Sequence, residues 1–134
     1  MSQILISKYI IKGLIADIVI IGSLKLLVRR PRPRQNLTKE MALGTNSGPD
    51  KYSFPSGHSS RAILCSNLLT QLIISQELFS NRMTQIGCVL FLNMFAYVTC
   101  LSRLLLNRHF FMDVVAGILT GHMLFLGLFV FVSN

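Results

Sequence analysis

The chain has 134 residues, of which 51% are hydrophobic and only 13% are charged, and its formal net charge at pH 7 is +8. This length allows one domain, 1–134, and a composition so apolar and so poor in charge excludes an ordinary soluble protein. Basic proteins commonly bind nucleic acid or an anionic membrane surface. Here long apolar stretches separate the basic clusters, and no aromatic platform lies among them. We therefore expect no nucleic acid as a partner, and we expect the cations to meet a phosphate at a membrane bilayer.

Four apolar segments predict an all-α, polytopic membrane bundle with four spans. They comprise residues 4–28, 62–76, 83–102 and 114–134. The last two are uncharged over twenty and twenty-one residues, long enough to cross a hydrocarbon core of ~30 Å. The second is shorter, and the first contains Lys8, Lys12 and Asp17. Because a carboxylate is costly inside a membrane, we expect Asp17 to face other helices or water, with Lys12 as a candidate partner.

A polar connecting loop, residues 29–60, separates the first two segments and holds all four prolines. With four spans, this loop and the turn between the last two segments lie on one membrane face, and both chain termini lie on the other. Residues far apart in the sequence can therefore meet in one site on that face.

Three short motifs fall on that face. Lys25, Arg32 and Pro33 form KxxxxxxRP, residues 55–58 form PSGH, and Ser102, Arg103, His109 and Asp113 form SRxxxxxHxxxD. Pro55 and Ser56 are typical of a helix start, and Gly57 allows a ligand to approach the backbone closely. The N–H groups of such a start favour an anion, which His58 in the first turn would face. The alternative is a helix cap with an interfacial histidine.

Three cations, Lys25, Arg32 and Arg103, are natural ligands for phosphate oxygens. The alternative is a positively charged flank at the membrane interface, which is the interpretation we prefer for other basic residues of the loop. These are Arg29, Arg30, Arg34 and Lys39.

The spacing of His109 and Asp113 places them on one face if they share a helix. A carboxylate bonded to one ring nitrogen fixes the tautomer and leaves the other nitrogen free to attack phosphorus. One alternative is a structural pair at a helix start. Another is a metal site formed with His58, although crowding by three cations disfavours a divalent ion. We expect no metal and no cofactor.

Other candidates have structural interpretations. We expect His122 to be a packed or hydrogen-bonded helix residue, and the sequon at residues 36–38 to be unused because it lies close to the membrane. Cys65, Cys88 and Cys100 lie in apolar segments without a CxxC spacing, which predicts free thiols.

The ordered triple of motifs resembles the type 2 phosphatidic acid phosphatase (lipid phosphate phosphatase) superfamily. The sequences KLLVRRPRP at 25–33 and KYSFPSGHSSRA at 51–62 resemble its polyisoprenoid diphosphate/phosphate phosphatase branch, the presqualene diphosphate phosphatases. The resemblance covers roughly residues 8–132. It implies a hydrolase of lipid metabolism that releases phosphate from isoprenoid diphosphates through a phosphohistidine, without Mg²⁺, in the endoplasmic reticulum and nuclear envelope.

The resemblance also implies roles for individual residues. His109 would be the nucleophile, Asp113 its orienting carboxylate and His58 the general acid. The phosphate cradle would comprise Lys25, Arg32, Ser56, Gly57 and Arg103. Two alternatives stay open: a broad phosphatase for phosphatidate, lysophosphatidate or sphingosine phosphate, and a non-catalytic protein that binds lipid headgroups.

The family usually has six spans, with the motifs beginning at the third, whereas this sequence starts about one helix before the first motif. We expect either a short form or a piece of a longer chain. The exposed flank of residues 4–28 would then need lipid, a second copy or another membrane subunit to cover it.

Overall fold

The computed structural model describes residues 3–33 and 51–133, and this part of the chain is all-α. The helices are α1 (Gln3–Val28), α2 (Gly57–Ser75), α3 (Arg82–Leu105) and α4 (Phe111–Ser133). Among the described residues between α1 and α2, Pro31 pairs with Tyr52 in an isolated antiparallel bridge. The predicted fold class and the order of four helices are confirmed. Arg34, Lys39 and the sequon lie outside the described residues.

Helix α2 begins inside the stretch that the sequence predicted as loop. Ser56 is its N-cap, and the Ser56 hydroxyl accepts a hydrogen bond of 3.4 Å from the Ser59 N–H. Capping satisfies one of the N–H groups that a helix start leaves without a partner. The helix therefore begins at Gly57, and Pro55 precedes the cap instead of occupying the first turn.

Helix α2 lies at the centre of the bundle and packs against the other three helices. The buried core that it shares with α3 and α4 contains Ile63, Ala96, Cys100 and Val114. Helices α2 and α4 run in the same direction, because Gly117 lies against Ser56 and Gly121 lies against Ser60. A Cβ at either glycine would lie closer than 3.0 Å to a carbonyl oxygen of α2. The spacing of four puts both glycines on one face, which lets the two backbones approach closely.

Helix α1 is joined to α2 by a charge pair whose carboxylate is buried. Asp17 is fully buried, and it accepts hydrogen bonds from the Ser60 hydroxyl and from Arg61 Nε, the latter at 2.9 Å. The expectation that Asp17 faces another helix is confirmed. Its partner is Arg61 and not the suggested Lys12, because the antiparallel packing brings α2 within reach of the carboxylate.

Two helices, α3 and α4, are long and apolar enough to cross a membrane by length and composition, over Arg82–Leu105 and Phe111–Val130. Helix α1 carries several charges, and α2 carries serines, a histidine and an arginine. The outer face of α1 is apolar and exposed at Ile11, Ile15, Ile18 and Val19. The four-span topology therefore stays a prediction for α1 and α2.

Candidate active site

The three motifs meet at one end of the bundle, where α1 and α3 end and α2 and α4 begin. Two contacts join the second and third motifs and the segments beside them. The Ser56 N–H donates to the Asp113 carbonyl oxygen at 2.9 Å, and His109 Nδ1 lies 2.7 Å from the Ser53 carbonyl oxygen. The first contact joins the starts of α2 and α4, and the second joins the turn before α4 to the segment before α2.

His109 is a buried residue of the turn between α3 and α4, two positions before α4 begins. His109 therefore lies outside the helix that contains Asp113, although their spacing would place them on one face of a shared helix. The Ser53 carbonyl can only accept, so Nδ1 carries the proton in this hydrogen bond. The other ring nitrogen, Nε2, then holds a lone pair and can act as a nucleophile.

Asp113 is fully buried in the first turn of α4, and partners other than His109 hold both of its oxygens. Arg30 Nη1 donates to Oδ1 at 3.0 Å, and the Phe110 N–H donates to Oδ2 at 2.8 Å. His109 Nδ1 lies 3.9 Å from Oδ2, an ion-pair distance that is too long for a hydrogen bond. The orienting hydrogen bond expected from Asp113 thus comes from the Ser53 carbonyl instead.

Arg30 has contacts that the sequence interpretation did not include. It was assigned to a positive flank at the membrane interface, but its guanidinium pairs with Asp113 and lies 4.2 Å from the centre of the Phe110 ring. Arg29 is closer to the expected interface residue, since it is exposed and its Nε donates to the Leu26 carbonyl at the end of α1.

The His109 ring is held neutral by its surroundings. Together they lower the pKa of His109 from the ordinary 6.5 to about 4, and the largest cause is burial, which penalises the imidazolium. The hydrogen bond to the Ser53 carbonyl and the charge of Asp113 raise the pKa of His109. The charges of Arg32 and Lys25 lower it. The effects of Arg32 and Lys25 place both cations within electrostatic reach of His109.

The start of α2 carries the PSGH motif. Ser56 is fully buried, and both its hydroxyl and its N–H form hydrogen bonds with other protein groups. It therefore stabilises the helix start from the protein interior. Gly57 packs tightly, since a Cβ there would lie 3.1 Å from Arg61 Nη2 and 3.2 Å from Ile21 Cγ2. His58 lies in the first turn, as predicted, and it is exposed.

The three predicted phosphate cations stand at this end of the bundle. Lys25 is buried in the last turn of α1, and Arg32 is half-buried in the segment that follows it. Arg103 lies in the last turn of α3, where its Nε and Nη2 donate to the Ser102 hydroxyl at 3.1 and 3.0 Å.

Sequence reasoning missed Ser53. It is fully buried, its N–H donates to the Arg30 carbonyl at 2.9 Å, and its hydroxyl donates to the Pro31 carbonyl at 3.0 Å. Ser53 thereby ties the KxxxxxxRP segment to the ring of His109. No motif signals this role, because the atom that holds His109 is a backbone oxygen.

The metal alternative has no geometric support, since among residues 3–33 and 51–133 no group of three or more His, Cys, Asp or Glu side chains is placed to hold an ion. His122 accepts or donates a bond of 2.9 Å with Asn67, which confirms its structural interpretation. The three cysteines are free, as predicted.

An apolar cavity of about 260 Å³ lies at the opposite end of the bundle. Its α2 residues begin at Leu68, eleven positions after Gly57. At ~1.5 Å per residue this is roughly 16 Å from the start of α2. The cavity is therefore separate from the end where the motifs meet.

Comparison with known proteins agrees with the geometry. Residues 7–134 match the PAP2 superfamily. A "Probable lipid phosphate phosphatase beta" of Arabidopsis thaliana is 30% identical over 125 residues, which cover 81% of this chain and 57% of the relative. The chain thus spans a little more than half the length of that relative. No solved structure matches significantly. The family match over almost the whole chain, with its motifs gathered at one end of a helical bundle, shows that the chain belongs to the PAP2 superfamily.

Proposed function

We propose that the protein is a membrane phosphatase that hydrolyses lipid phosphates through a phosphohistidine on His109. The observation that supports this most is the hydrogen bond from His109 Nδ1 to the Ser53 carbonyl, at 2.7 Å. It leaves Nε2 as a neutral nucleophile among the cations that a phosphoryl group requires. The name of the Arabidopsis relative also supports a lipid phosphate as the substrate.

In the proposed reaction, His109 Nε2 attacks phosphorus while the bond from phosphorus to the leaving oxygen breaks. Lys25, Arg32 and Arg103, with the N–H groups at the start of α2, stabilise the charge on the phosphoryl oxygens. His58, as the imidazolium, donates its proton to the leaving oxygen. Water then attacks the phosphohistidine and gives its proton to His58, which releases phosphate and restores both histidines.

Within this class we favour isoprenoid diphosphates, such as presqualene or farnesyl diphosphate, on the resemblance of residues 25–33 and 51–62. Glycerolipid phosphates such as phosphatidate are the second candidate. Residence in the endoplasmic reticulum and nuclear envelope is likewise proposed on the family resemblance.

The test is phosphate release by detergent-purified protein in EDTA, with farnesyl diphosphate and phosphatidate offered alone and in competition. We expect the wild type to turn over with a preference for the isoprenoid, and His109→Ala to lose at least about a thousandfold in kcat, as removal of a covalent nucleophile does elsewhere. His122→Ala is the matched control, because it removes a histidine whose partner lies away from the site. Near-normal activity of His109→Ala would refute the phosphohistidine. A folded but inactive wild type would indicate a headgroup-binding protein.

A further inference from the structure

Arg30 is connected to His109 by two separate routes. Through its side chain, Nη1 donates to Asp113 Oδ1 at 3.0 Å, and Asp113 Oδ2 accepts the Phe110 N–H that adjoins His109. Through its main chain, the Arg30 carbonyl accepts the Ser53 N–H at 2.9 Å, and the Ser53 carbonyl binds the His109 ring.

The side-chain route fixes the start of α4. Asp113 is the third residue of the helix, and its bond to the Phe110 N–H is one half of a capping box. The carboxylate is fully buried, so an ionised Asp113 needs a cation to offset its desolvation. Arg30 is the cation that contacts it, and the guanidinium also lies over the Phe110 ring at 4.2 Å. Through these contacts Arg30 holds Phe110 and Asp113 at the start of α4.

The same contacts distinguish Arg30 from the arginine two positions later. The charge of Arg30 is balanced by Asp113, and one face of its guanidinium lies against the Phe110 ring. Arg32 instead acts on His109 through its positive charge, which lowers the pKa of that histidine. Of the two, Arg32 therefore has the electrostatic character of a phosphate ligand.

We propose that Arg30 is a positioning residue, which acts through Asp113 and Ser53 to hold His109 in the orientation that presents Nε2 to the substrate. The proposal rests on the proposed reaction of His109. It assigns to Asp113 an indirect role, as the anchor of Arg30 and the cap of α4. Arg30 occupies one of the unspecified positions of KxxxxxxRP. The proposal gives it a part in catalysis without contact with the substrate.

The first measurement needs no turnover. In protein labelled with ¹³C-histidine, the pH titration of the His109 signal, identified by its loss in His109→Ala, is compared between wild type and Arg30→Gln. The groups that face His109 are Asp113 in α4, Lys25 in α1, Arg32 and the Ser53 carbonyl. Removing Arg30 takes away a cation that offsets the Asp113 charge, and Asp113 Oδ2 lies 3.9 Å from His109 Nδ1. We therefore expect the His109 pKa to rise by about one unit. An inactive protein can still show this shift, which separates the proposal from the proposed function.

The second measurement is the kinetics of the same variants. A displaced nucleophile lowers kcat more than it weakens binding, so we expect Arg30→Gln to lose roughly 10- to 100-fold in kcat with KM changed less than about threefold. Because Arg30 acts through Asp113, the double variant with Asp113→Asn is expected to be no slower than Asp113→Asn alone. Arg30→Lys keeps the charge and is expected to restore the His109 pKa and part of kcat.

Arg29→Gln is the matched control, because it removes the same charge from the neighbouring residue, whose side chain bonds to the end of α1. If Arg30→Gln titrates and turns over like Arg29→Gln, the proposal is wrong. A raised KM with unchanged kcat and unchanged His109 pKa would make Arg30 a phosphate ligand and also overturn it. If Arg30→Gln does not fold, Arg30→Lys takes its place. The kcat of the double variant Arg30→Lys with Asp113→Asn is then compared with that of Asp113→Asn alone, and a slower double variant would contradict the proposal.

Discussion

The His109 ring shows how a backbone atom can set the chemistry of a side chain. A carbonyl oxygen has no proton to give, so the Ser53 carbonyl permits one tautomer of His109 only. A carboxylate in the same place would also favour the imidazolium. Ser53 therefore orients the ring while burial keeps it neutral, and a neutral ring is the form that the proposed reaction requires.

This arrangement predicts an unusual acid limb in the pH profile. Because the pKa of His109 is lowered to about 4, the ring stays mostly neutral at pH 5, where an ordinary histidine is about 30-fold depleted in its neutral form. We expect kcat/KM of the wild type to keep more than half of its plateau at pH 5 and to fall near pH 4. A fall centred near 6.5 would show that His109 is not held neutral. His58→Ala is expected to change the alkaline limb and leave the acid limb in place.

The same pKa has a consequence for stability. Folded His109 binds fewer protons than the unfolded residue between about pH 4 and 6.5. The free energy of unfolding therefore falls as the pH is lowered through this window. His109→Ala is expected to remove this part of the pH dependence of chemical unfolding.

The sequence predicts some of these residues well and others not at all. The charged and titratable motif residues stand out in the sequence because each lies near the end of an apolar segment. Arg30 and Arg32 are each followed by a proline, and the spacing from Lys25 selects Arg32 as the motif residue. The contact of Arg30 with Asp113 is visible only in the folded structure. Arg61 was missed as the partner of Asp17 because 44 positions separate them, and local spacing pointed to Lys12.

At the scale of the helices, the apolar segments predicted which helices form better than they predicted where each helix begins and ends. The predicted segments match all four helices, whereas the starts of α2 and α4 depend on caps. Ser56 moves the start of α2 to Gly57, and Asp113, as the third residue of α4, leaves His109 outside that helix. The second cap could have been predicted, since an acidic third residue is typical of a helix N-terminus.

The contact between α2 and α4 leads to a prediction on the glycines. A Cβ at Gly117 or Gly121 would collide with the carbonyl oxygen of Ser56 or Ser60, and backbone cannot yield as a flexible side chain does. We expect Gly121→Ala to lower the free energy of unfolding in micelles by ~1–3 kcal/mol. Gly117→Ala is expected to lose activity as well, because Ser56 caps the helix at the site.

Gly127→Ala is the control in the same helix. No heavy atom outside the local backbone lies within 4 Å of a Cβ at Gly127, so alanine there is expected to be neutral or to stabilise by ~0.5–1 kcal/mol. Equal destabilisation by Gly121→Ala and Gly127→Ala would mean that the close approach of α2 and α4 does not matter for stability.

At the scale of the whole molecule, the polar content of α2 is explained by its central position. Ser60 and Arg61 bind Asp17 of α1, and Asn67 binds His122 of α4. Such a helix can cross a membrane although its composition is not that of an isolated span, because its polar groups meet protein and not lipid. The apolar side chains of α1, α3 and α4 are the ones exposed around it.

If all four helices cross, the turn between α2 and α3 lies on one side of the membrane, and the ends that hold the motifs lie on the other. Exposed single cysteines at Lys51, Leu78 and Leu106, in a background without Cys65, Cys88 and Cys100, test this. In sealed vesicles, we expect an impermeant maleimide to label Lys51→Cys and Leu106→Cys from one side and Leu78→Cys from the other. Helix α3 has 24 residues, about 36 Å, which exceeds a hydrocarbon core of ~30 Å. Labelling of Lys51→Cys and Leu78→Cys from the same side would mean that α2 does not cross, and the four-span topology would be wrong.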